Sequence, residues 1–65
     1  MIEVTLLSGK TIWLSPHQME AVEAHPDTTI TMISGKRIVV LEDIPTLVER
    51  IVAYRRRIGN FADEP

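Results

Sequence analysis

The sequence contains no cysteine, so neither a disulfide nor a thiolate metal site can staple the fold. It has no long apolar run either: the longest is a few residues, far short of what spans a bilayer. An excess of one charge is also missing. Seven basic residues against nine acidic ones leave a formal net charge of −2, which gives no overall attraction to nucleic acid or to an anionic membrane. No aromatics are interleaved with basic residues to stack bases. No basic segment with an apolar core opens the chain. Alternation begins at Ile2, Val4 and Leu6, so no signal peptide is expected and a cytoplasmic location is.

What is present is a soluble-globular composition, 45% hydrophobic, in 65 residues. That length makes one domain, expected over residues 1–59 and followed by a flexible tail at 60–65. A chain so short buries only about 60% of its unfolded surface, and folds of this size usually need a staple. With disulfides excluded, association takes that place, and a homo-oligomer is expected.

An internal repeat organises the first two thirds. Val4-Thr5-Leu6-Leu7-Ser8-Gly9-Lys10 matches Ile30-Thr31-Met32-Ile33-Ser34-Gly35-Lys36 in residue type, and Thr11-Ile12-Trp13-Leu14 continues in step with Arg37-Ile38-Val39-Val40. Each unit is an alternating apolar run, a Ser-Gly-Lys, and a second apolar run, the signature of a β-hairpin. Side-chain phase sets the loop length. Ile2, Val4, Leu6, Ile12 and Leu14 share a face only if the loop has an odd number of residues, because a one-residue slip turns a strand over. Three-residue loops, Leu7-Ser8-Gly9 and Ile33-Ser34-Gly35, satisfy this, with each glycine left-handed in a G1 bulge. The second unit then aligns Ile30, Met32, Ile38 and Val40. Valine at Gly9 or Gly35 should disrupt the turn.

Between the units, Ser15-Pro16-His17-Gln18 reads as a turn or one helical twist, and Pro26-Asp27 as the turn of a further hairpin connection after Glu20–Ala24. The last third changes period: Ile44, Leu47, Val48, Ile51, Val52 and Ile58 follow helical spacing. Asp43 suits the N-cap, Pro45 the first turn, Arg55, Arg56 and Arg57 the last turn, and Gly59 the stop. The predicted fold is α+β, a small antiparallel β-meander of about five strands with one C-terminal α-helix.

No catalytic constellation emerges, so a non-enzymatic protein without cofactor is expected. His17 and His25 fall in turns and share no ligand spacing with Glu20, Glu23 or Asp27. Ser8-Gly9-Lys10 lacks the glycine-rich loop and following helix of a phosphate-binding P-loop. Arg55–Arg57 reads first as a helix-end dipole complement, then as a contact for an acidic partner, and last as a phosphate patch for RNA or DNA. The more informative feature is a second apolar set, Leu7, Trp13, Ile33, Val39 and Leu41, out of phase with the first. A sheet covered on one face should be polar on the other. Either the sheet curls into a partial barrel or another chain covers this face, with Trp13 as its anchor.

The chain also resembles the small FlbD-type (SwrD-type) family. The residues that carry the resemblance are Glu20, Glu23, Pro26, Asp27, Thr28, Ile30, Met32, Gly35, Lys36, Val40 and Glu42, with the first hairpin and the helix around them. Met32 stands where leucine is usual and Ser34 where asparagine is. The resemblance implies a role in bacterial flagella and in swimming or swarming motility, at the cytoplasmic side of the flagellar basal body, with a flagellar protein as partner. It brings no catalytic residues. The alternative from another class is a small RNA- or DNA-binding regulator using Arg55–Arg57, which the net charge disfavours.

Overall fold

A computed structural model describes residues 1–57. Its elements run β1 (Ile2–Thr5), β2 (Thr11–Leu14), a 3-10 turn (Pro16–Gln18), β3 (Met19–Glu23), β4 (Thr28–Met32), β5 (Arg37–Val40) and α1 (Ile44–Arg57). This is the predicted set of five antiparallel strands and one C-terminal helix. Residues 58–65, which carry the predicted Ile58 contact, the Gly59 stop and the flexible tail, lie outside the described residues.

Both Ser-Gly-Lys loops close as the side-chain phase requires. In the first, Gly9 N–H donates to Leu6 O at 2.8 Å and Leu6 N–H to Lys10 O at 2.8 Å. In the second, Gly35 N–H donates to Met32 O and Met32 N–H to Lys36 O, again at 2.8 Å. Gly9 and Gly35 sit at φ +92° and +94°, where a Cβ would meet no neighbouring atom within 4 Å. The need for glycine is therefore a backbone need alone. Ser8 Oγ and Ser34 Oγ accept from the Lys10 and Lys36 backbone N–H groups at 3.4 Å, which gives each serine a part in its turn.

The resulting registers pair Ile2 with Leu14 and Val4 with Ile12 across β1–β2, and Ile30 with Ile38 and Thr28 with Val40 across β4–β5. The core is Ile2, Val4, Leu14, Ile30, Ile38, Val40 and Leu47, with Leu6, Ile12, Met19, Val22, Met32, Ile51 and Tyr54 packed around it. The loop between β3 and β4 holds Pro26 and Asp27, as read from the sequence, and its His25–Pro26 peptide is cis.

The strands do not form one continuous meander. β1–β2 is one sheet and β3–β4–β5 another. Ser15 and Pro16 lead the chain out of β2 into the 3-10 turn, where Pro16 has no N–H to give a ladder. The sheets meet instead through β1 and β5, by the Leu6–Val40 bridge and a 2.8 Å bond from Leu41 N–H to Thr5 O. No closed barrel results.

Asp43 caps α1, its Oδ1 accepting from Thr46 N–H at 3.0 Å, and bonding from Thr46 holds the Asp43 carboxyl below its ordinary range. The helix buries a narrower stripe than its apolar spacing suggests. Leu47 is buried and Ile44, Ile51 and Tyr54 are half-buried, whereas Val48 and Val52, expected in the core, are exposed. The row that faces the sheets is 44–47–51–54.

Candidate functional site

The edge of β1 that faces away from β2 is closed largely by side chains. Thr5 N–H donates to Glu42 Oε1 at 2.9 Å and Thr5 Oγ1 to Glu42 Oε2 at 2.9 Å. Arg50 Nη1 reaches from the helix to donate to Glu42 Oε2 at 2.8 Å and to Glu3 O at 2.7 Å. One carboxylate and one guanidinium thus satisfy backbone groups that a strand would otherwise take, and they tie the first hairpin, the β5–α1 connection and the helix together. The Glu42 side chain is only 7% exposed, against 40% for Arg50. Burial by itself would push the Glu42 carboxyl up; the bonds from Thr5 and Arg50 outweigh it and hold the group below its ordinary value. Sequence reasoning met Glu42 only as part of the family pattern. The acid placed just before the helix was the available signal, but its partner Thr5 lies 37 residues away.

Beside this lock, an open groove of about 230 Å³ runs between the first hairpin and the C-terminal half of α1, lined by Met1, Ile2, Glu3, Trp13, Arg50, Ala53, Tyr54 and Arg57. Trp13 is 57% exposed there. The ring of His17, on the 3-10 turn, stands edge-on to that of Tyr54, with the ring centroids 6.0 Å apart.

The five apolar residues singled out from the sequence divide between places. Leu7, Trp13, Ile33 and Leu41 are exposed and Val39 is half-buried. The Leu6–Val40 bridge brings Leu7 level with Val39 and Thr5 level with Leu41, so Leu7, Val39 and Leu41 share the β1–β5 seam. Ile33 sits at the tip of the β4–β5 hairpin, and Trp13 faces the helix groove. Arg55, Arg56 and Arg57 are all exposed, and only Arg57 lines the groove. Among the described residues no three His, Asp or Glu side chains stand together as a metal site. Glu23 instead pairs with Arg37 at 3.3 Å, both well exposed, a contact worth little to stability.

The family model for FlbD, flagellar and swarming motility proteins, matches residues 1–59. The chain belongs to the FlbD family. The match spans both hairpins and the whole described helix, so the Glu42 lock and the Trp13 groove lie within the family's domain. Membership carries a role in flagellar and swarming motility. Comparison with curated proteins and with solved structures gives no match. No helix among the described residues is long and apolar enough to cross a membrane.

Proposed function

We propose that this FlbD-family protein is a non-enzymatic interaction module that supports flagellar assembly or motor output from the cytoplasmic side of the basal body. The observation that carries this reading is surplus apolar surface. With the core already filled, Leu7, Trp13, Ile33, Leu41, Val48 and Val52 remain exposed on a very small fold. Contiguous apolar surface marks docking sites for other chains, and Leu7 and Leu41 come together at the β1–β5 seam while Trp13 lines the helix groove. Deleting the gene from a flagellated cell should impair swimming or swarming, scored on soft agar and by tracking, and a complemented strain should recover. Normal motility in the deletion strain would remove the proposal. A pull-down from flagellated cells then identifies the partner.

Self-association belongs to the same reading. The β1–β5 seam, with Leu7, Val39 and Leu41, is the surface suited to a second copy, since none of the three lines the groove. Sedimentation velocity at high micromolar concentration should show a dimer or larger species that Leu41→Glu returns to monomer. A wild-type monomer under those conditions would refute it.

A further inference from the structure

The groove beside Trp13 has a chemistry of its own. Its walls are aromatic and aliphatic: Trp13, Tyr54, Met1 and Ala53. Its polar groups are mostly cationic. Arg50 is held in place by its Nη1 bonds to Glu3 O and Glu42 Oε2, which leave its Nε and Nη2 donors without a hydrogen bond among the described residues. Arg57 forms no ion pair among the described residues. Glu3 is the one carboxylate in the lining, on the strand that Arg50 already binds. At about 230 Å³ the groove is smaller than a typical small-molecule pocket, and it is open to solvent. It suits one or two side chains of an extended segment rather than a whole metabolite.

Building on the interaction-module reading, we propose that this groove binds an extended acidic segment of a partner protein, one apolar side chain resting on Trp13 and carboxylates meeting Arg50 and Arg57. A fixed guanidinium favours bidentate carboxylate binding, and a half-exposed tryptophan is a common binding anchor. A long polyanion fits less well. Nucleic acid also binds through base stacking, and one tryptophan with few other aromatics makes no run of stacking platforms.

The test exploits Trp13 as the sole tryptophan of the chain, so its fluorescence reports on the groove. Three probes are titrated: a short Asp/Glu-rich peptide with one central leucine, its Asn/Gln analogue, and an oligouridine. The acidic peptide should give a saturable change in Trp13 emission, weakened by salt. Its affinity should be at least about tenfold higher than that of the amide analogue, and Arg57→Gln should cost a similar factor. Arg57 is exposed, so that variant should keep the wild-type circular dichroism. Trp13→Ala, followed by anisotropy of a labelled peptide, should also weaken binding. Equal affinity for the amide analogue, no binding at about millimolar peptide, or tighter Arg57-dependent binding of oligouridine would overturn the proposal. Peptide failure alongside a non-motile deletion strain removes the groove assignment and leaves the motility role. Normal motility removes the role whatever the peptides do.

Discussion

Leu47→Ala should be the most damaging single truncation in the helix, lowering stability by about 2–5 kcal/mol. Leu47 is 1% exposed and is the only fully buried residue of α1. It reaches a core contributed by both sheets, so its loss leaves a cavity where β1, β2, β4, β5 and the helix meet. Domains hold roughly 0.05–0.15 kcal/mol per residue, which for this length is about 3–10 kcal/mol in all. The substitution therefore consumes a large fraction of the total and could unfold the chain outright. Urea titration followed by circular dichroism measures it. Val48→Ala is the control. Val48 is 51% exposed on the next row of the helix, and its truncation should change stability by less than about 0.5 kcal/mol. Comparable losses from the two would mean that the helix presents a different face to the sheets.

The contrast between Leu47 and Val48 also shows where sequence reading reaches its limit. Helical spacing admits Ile44, Leu47, Val48, Ile51 and Val52 to one broad apolar arc. Which part of that arc is buried depends on how the helix lies on the two sheets, a long-range arrangement that spacing along the helix does not specify. Tyr54 completes the row that faces the core, half-buried, although its hydroxyl sets it apart from the aliphatic residues that carry the helical period. The hairpins were far more legible. Strand phase and a glycine at a fixed offset leave one loop length, and the φ angles of Gly9 and Gly35 agree with it. These are local constraints, decided within a dozen residues.

The way the two hairpin units join is not local. Nothing near Leu6 announces that its neighbour will be Val40 rather than a residue following β2. That choice separates the apolar residues once grouped on one surplus face. Trp13 goes to the helix groove, and Leu7, Val39 and Leu41 go to the seam. The surplus itself was visible in the sequence; its division into two surfaces with different chemistry needed the long-range contacts, above all those of Glu42.

Glu42→Ala should accordingly destabilise the protein by about 2–4 kcal/mol, because it strands the Thr5 N–H and hydroxyl in a part-buried setting. Glu42→Gln should cost less, about 1–2 kcal/mol, since an amide oxygen can keep one Thr5 bond while its NH₂ group opposes a donor. Arg50→Ala should also cost less than Glu42→Ala, about 1–2 kcal/mol: it leaves Glu3 O and the Glu42 carboxylate each short of a donor, but both Thr5 bonds to Glu42 remain and the guanidinium it removes is 40% exposed to water. A simple salt-bridge account predicts equal losses from Glu42→Ala and Arg50→Ala, so the ranking separates a carboxylate that completes a strand edge from one that merely pairs a charge. The pH dependence gives a second handle. The folded Glu42 carboxyl titrates below its ordinary value. Its ionised form therefore contributes stability that is present above the unfolded value of about 4.3 and is lost as pH falls through the folded one. Asp43 has the same sign. The informative quantity is then the difference between the wild-type and Glu42→Ala urea midpoints. It should be largest at neutral pH and shrink on acidification below about pH 4. A gap that stays constant across that range would show that the ionised carboxylate is not what holds the edge of β1.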